Sequence, residues 1–176
     1  MNVIGSFLGV DPGANGGFAI ISGDGIAQAF RMPKTEADVA RLFEERIVPA
    51  RVVYAIIEAV HSFPGQGVAS SFTFGRNAGL LIGLLLAHGI SFEEVPPRTW
   101  QKALGIPPRI KTPKKPKPFM QYPAEESNTD WKNRLKAKAQ TLFPGLDITL
   151  ATADALLIAE TARRIRVGYQ GGRAIA

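Results

Sequence analysis

The chain reads as strands and helices in the order βββαβαβααα, an α/β class of fold. Three observations carry that prediction. Short apolar runs, broken by Asp11-Pro12-Gly13 and Asp24-Gly25, fill the first 32 residues; a β-branched run stands at 51–60; and three helical segments close the chain. Taken in order, Ser6–Val10 is a short buried strand that the Asp-Pro-Gly turn ends, Gly17–Ser22 resumes the apolar run, and Ile26–Met32 returns as a third antiparallel strand. Asp24-Gly25 supplies the hairpin, since glycine readily adopts φ > 0. Thr35 caps a helix whose apolar face holds Val39, Leu42, Phe43 and Ile47. Arg51–Val60 suits a central strand, with Glu58 near its end. A long helix follows over Val68–His88, then a strand at Ile90–Val95, a short helix at Arg98–Leu104, and helices over Trp131–Phe143 and Thr152–Arg166.

With 176 residues, 45% of them hydrophobic, and no stretch of 18 uninterrupted apolar residues, the expectation is one soluble domain, 1–176, with a single core and no membrane segment. The N-terminus has no basic stretch before its apolar run and does not read as a signal peptide. The absence of cysteine excludes a disulfide framework and thiolate zinc, and two isolated histidines disfavour a histidine-rich metal site. Any metal is expected on oxygen ligands.

The net charge of +6 is unevenly spread. Between Arg98 and Lys138 there are 11 lysines and arginines against Glu125, Glu126 and Asp130, whereas the remainder is slightly acidic. A concentrated basic zone favours a nucleic-acid partner over general solubility. Within it, a loop at about 106–128 holds six of the thirteen prolines together with Arg109, Lys111, Lys114, Lys115 and Lys117. Proline removes backbone donors and fixes φ, so this segment is predicted to be extended and exposed, either a phosphate-contacting loop or a solvated linker. In the long helix, Gly75, Gly79, Gly83 and Ala87 recur every four residues. Four small residues in register mark a close approach, by this chain's own sheet, a second helix or a second subunit.

Asp11, Glu58 and Asp154 stand in FLGVDPG, VVYAIIEAV and ATADALLIAE, three segments that read as core. A buried charge needs compensation, and the simplest candidate is a divalent metal. If the strands bearing Asp11 and Glu58 are neighbours, both carboxylates emerge at one edge. Asp154, in the first turn of the last helix, then closes the third side. Such a site suits magnesium, with one ion activating water and a second stabilising the leaving oxygen of a phosphodiester.

FLGVDPGANGGFAII, IIEAVHSFPGQGVASSFTFGRNAGLLIG, VPPRTWQKALG and LFPGLDITLATADALLIAE together resemble the RuvC-type Holliday junction resolvases, in a form similar to those of bacteriophages. The resemblance covers most of the chain. It implies an RNase H-like fold with a five-stranded mixed sheet in the order 3-2-1-4-5, and a homodimer that makes paired nicks in four-way DNA with Mg2+ or Mn2+, two ions per active site. It also implies the cytoplasm of a bacterial or phage-infected cell and no nucleotide cofactor. Matched by position, Asp11, Glu58 and Asp154 are the metal-binding and catalytic acids, and Lys102 and Lys132 approach the DNA backbone near the scissile phosphate, Lys132 with a catalytic role. Arg98, Lys111, Lys114, Lys115, Lys117 and Lys136 extend the DNA-binding zone, and Gly75, Gly79 and Gly83 mark the dimer interface. Many cellular resolvases carry a fourth acid one helical turn before the last aspartate, where this chain has Leu150 and Ala151; Asp147, seven residues back, is a poor substitute.

Phe63 could stack on bases at a junction, while Phe72 and Phe74, inside the long helix, are expected in the core. His61 could assist proton transfer but reads more readily as a structural or exposed residue. Asn15, Ser62 and Gln66 are further candidates for DNA contact. Two rival functions remain: a junction-binding protein without cleavage, and an actin- or hexokinase-like ATPase module, which would need a second lobe.

Overall fold

Alternation along the strands decides how the interior divides. The computed structural model describes residues 5–59, 67–112 and 120–170, the last three by backbone only. In it β1 (Ser6–Asp11), β2 (Gly17–Ile21), β3 (Ala27–Arg31), β4 (Val52–Glu58) and β5 (Phe92–Val95) form one sheet in the order β3-β2-β1-β4-β5. The first three strands pair antiparallel, and β4 and β5 add in parallel, which is the mixed order the resemblance implied. The hairpin forms as read, with Gly25 at φ +93°.

Successive side chains on a strand face opposite ways. Phe7, Ala19, Ile21, Tyr54 and Ile56 therefore pack on one side with α3 (Pro97–Ala103), α4 (Asn128–Leu142) and α5 (Leu150–Gln170). Leu8, Val10, Phe18, Ile20, Ala55 and Ile57 pack on the other with α1 (Glu36–Leu42), its π-helical continuation Phe43–Ile47, and α2 (Val68–Ala87). The sheet thus separates two apolar clusters where the composition suggested one core. Helix α5 carries Leu156, Leu157 and Ile158 in succession, all fully buried, as expected of a helix enclosed on every side. It lies directly on β1. A Cβ at Gly9 would fall 2.2 Å from the carbonyl oxygen of Ala155 and 2.3 Å from the amide nitrogen of Ala159, so only glycine permits that approach.

Capping sets the helix starts. Thr35 Oγ1 accepts from the Asp38 amide at 3.1 Å and Ser127 Oγ from the Asp130 amide at 3.0 Å. The second cap moves the start of α4 to Asn128, three residues before the expected Trp131. Helix α5 begins at Leu150, where Thr152 Oγ1 accepts from the Thr149 amide at 3.0 Å. Asp154 therefore occupies the second turn and not the first, beyond the strongest influence of the helix terminus.

Helix α2 departs most from expectation. It presents Ala78, Leu81 and Leu85 to the sheet. A Cβ at Gly75, Gly79 or Gly83 would meet nothing within 4 Å, so these residues do not pack on the chain's own sheet. Phe72, expected in the core, is 71% exposed on the outward side, and Phe74 is half-buried. By length and composition α2 could cross a membrane, yet Arg76 in its middle pairs with Glu36 at 2.7 Å and its inner face is core.

Candidate active site

Register brings the first two acids together. Val10 pairs with Ile57 across the parallel β1–β4 ladder, so Asp11 and Glu58 are the next residues on adjacent strands, whose spacing is about 4.8 Å. Both continue the side of the sheet that carries Phe7 and Ile56, and therefore face α5. Because Gly9 lets α5 rest on β1, Asp154 arrives beside them from above.

The loop after β1 is shaped around Asp11. The Gly13 amide donates to Asp11 Oδ1 at 3.3 Å, and a Cβ at Gly16 would fall 2.6 Å from the Asp11 carboxyl carbon. Asn77 of α2 donates to the Pro12 carbonyl and ties the turn down from the other side of the sheet. Glu58 is held by a residue the sequence reading passed over: the Trp100 indole donates to Glu58 Oε2 at 2.9 Å. The available signal was that a buried tryptophan must find an acceptor for its N–H.

Burial, followed by the charge of Asp154, pushes Asp11 up to about 6. Burial and then the charge of Asp11 push Glu58 up to about 7, although the Trp100 hydrogen bond works the other way. Lys132 of α4 stands over the cluster and donates to Asp154 Oδ2. Burial opposes its charge, but Asp154 and the other two acids outweigh it and raise its pKa. Asp154 is only 5% exposed, and among the described residues its Oδ1 has no hydrogen-bond partner.

Among the described residues these acids do not form a closed metal-ligating group. Their chemistry nonetheless fits a hard divalent cation: the donors are all oxygen, two acids are disfavoured as anions by burial and by a neighbouring acid, and one buried oxygen lacks a partner among the described residues. At the fourth-acid position Ala151 turns its carbonyl to within 3.1 Å of a Cβ placed on Gly17, and exposed Asp147 lies before α5 begins.

Among the predicted basic residues that are described, Lys132 pairs with an acid of the cluster, whereas Arg98, Lys102 and Lys111 are exposed and Lys136 is half-buried one turn along α4. Arg98 and Lys102 share one face of α3, with Trp100 turned inward between them. Asn15 is exposed in the loop after β1. His61, Ser62, Phe63, Gln66, Lys114, Lys115 and Lys117 lie outside the described residues.

No family model and no curated protein sequence matches the chain. Solved structures do. Thermus thermophilus RuvC is 14% identical, with a TM-score of 0.57 over 93% of this chain and 96% of that one. T. thermophilus RuvC in complex with a Holliday junction substrate gives 14% identity and 0.56 over the same shares. The chain has the RuvC-type, RNase H-like fold.

Proposed function

We propose that this protein is a metal-dependent, structure-selective endonuclease that resolves four-way DNA junctions by paired phosphodiester hydrolysis. The observation that carries this reading is the convergence of Asp11, Glu58 and Asp154 under Lys132, with one buried carboxylate oxygen left unpartnered among the described residues. The likeness of fold to RuvC and the basic zone beside the site support it.

In this reading Asp11, Glu58 and Asp154 would hold Mg2+ or Mn2+, which when bound supplies a Lewis acid for phosphodiester hydrolysis. The chain's residues do the rest. Lys132, already charged at the mouth of the cluster, neutralises a scissile phosphate and favours the charge that develops in the transition state. Arg98, Lys102, Lys111 and Lys136 hold flanking backbone phosphates, so junction affinity falls with salt.

Two symmetric nicks require two sites facing opposite strands, and hence a two-fold dimer. The outward face of α2 supports that arrangement: Phe72, Gly75, Gly79 and Leu86 leave an apolar strip with room for a second helix at close range. Gly79→Leu should weaken association in sedimentation, since the larger side chain blocks the approach.

Cleavage of synthetic four-way, three-way and linear duplex DNA with Mg2+, Mn2+ and Ca2+ tests the function. Paired nicks confined to the four-way junction with Mg2+ or Mn2+ are expected. Binding without cleavage under every metal would instead favour a junction-binding role.

A further inference from the structure

Trp100 is 1% exposed, and its ring packs into the apolar cluster shared by Leu104, Leu135 and Leu157. Phenylalanine or leucine would fill such a position without a polar atom to satisfy. Indole, by contrast, carries an N–H that can only donate and must find an acceptor when buried. That acceptor is Glu58 Oε2, at 2.9 Å.

Backbone register builds the contact. Glu58 pairs with Val95, the Ala59 amide donates to the Val95 carbonyl at 3.0 Å, and Pro96-Pro97 turns the chain into α3 at that point. The first turn of α3 therefore lies over the end of β4, and Trp100 reaches the carboxylate from the cluster side. A ring fixed by packing and a single directional N–H determine where Oε2 sits. Among the described residues, no hydrogen bond of this kind fixes Asp154 Oδ1.

We infer that Trp100 is a positioning residue for metal capture: its indole N–H holds the Glu58 carboxylate oriented toward Asp11 and Asp154. The inference rests on reading the three acids as a metal site. The indole N–H can only donate, so its contact selects a single orientation of the Glu58 carboxylate. It also fixes one oxygen before the cation arrives, which lowers the cost of ordering the site.

The test uses the full chain without DNA. Mn2+ binding is measured by calorimetry for wild type, Trp100→Phe, Glu58→Gln and the double variant. Trp100→Phe should weaken binding about tenfold, the loss expected for one hydrogen bond to a charged group. The same change made in the Glu58→Gln background should add little, which a merely structural role would not produce. Junction cleavage by Trp100→Phe should need more metal for half-saturation while KM for DNA is unchanged.

Should Trp100→Phe fail to fold, the wild-type spectrum still decides. With two tryptophans in the chain there are two indole N–H resonances, and Glu58→Gln should move the one that survives Trp131→Phe. Wild-type binding with an unchanged Trp100→Phe affinity, or an unmoved Trp100 resonance, overturns the inference alone. A wild type that captures no Mn2+ removes the metal reading as well.

Discussion

Helix α5 buries two carboxylates six residues apart, and they are opposites. Glu160 is 3% exposed, yet Arg163 Nε donates to one of its oxygens at 2.8 Å and Arg164 Nε to the other at 2.7 Å. Burial works against its charge, but the two guanidiniums more than offset it and hold its pKa below the usual value. Asp154 is 5% exposed, among the described residues shares one oxygen with Lys132 alone and leaves the other unpartnered, and faces two acids whose protons it helps to retain. A buried carboxylate is therefore no sign of function in itself. A deficit of partners is the more pointed signal, because a buried carboxylate oxygen without a donor calls for a cation or water.

The sharpest way to break this comparison is to neutralise both kinds of acid. Asp11→Asn, Glu58→Gln and Asp154→Asn should each cut junction nicking roughly a thousandfold or more, while gel-shift affinity for the junction stays near wild type. Glu160→Gln should do the reverse, leaving nicking nearly intact and costing about 1–2 kcal/mol of stability, since its arginines can turn partly to solvent. Preserved cleavage by any one of the first three would remove that residue from the site.

Lys132 tests the same contrast from the cationic side. Lys132→Gln should lower single-turnover cleavage about a hundredfold and junction affinity much less, as expected of a cation acting on charge that develops in the transition state. Arg164→Gln should leave cleavage unchanged. Equal losses of binding and rate for Lys132→Gln would reduce it to one more phosphate contact.

Much of this was legible in the residues. Short apolar runs and two turns with glycine gave the antiparallel strands, and the rule that buried charges need partners singled out Asp11, Glu58 and Asp154. Glu160 lies in the same ATADALLIAE string, and the signal that separates it, arginines three and four residues on, is local and readable. What spacing could not give was direction. The glycines of α2 recur on one face, but only the packing of Leu81 and Leu85 shows that this face looks outward, carrying Phe72 with it. Likewise the start of α5 depends on how Thr149 and Thr152 bond, which moved Asp154 one turn inward. The Trp100 contact joins residues 42 apart and needed the β4–β5 register.

The last effect expected is on stability against pH in the metal-free protein. Asp11 titrates at about 6 in the fold against 3.8 in the open chain, and Glu58 at about 7 against 4.5. Between those limits the folded state holds more protons than the unfolded one, so unfolding free energy falls as pH rises from about 4 to about 7 and levels off above. At about 1.4 kcal/mol per pK unit, and after discounting for partial exposure, the decline attributable to the pair is on the order of 2–3 kcal/mol. Glu160 has the opposite sign: its lowered pKa adds stability above the open-chain value and withdraws it in acid. Urea unfolding in EDTA across this range should therefore show Glu58→Gln gaining on wild type as pH rises, and Glu160→Gln losing least at the acid end. A Glu58→Gln profile parallel to wild type would mean that its carboxylate is not strained in the fold, and the contrast between the acidic cluster and Glu160 would lose its electrostatic basis.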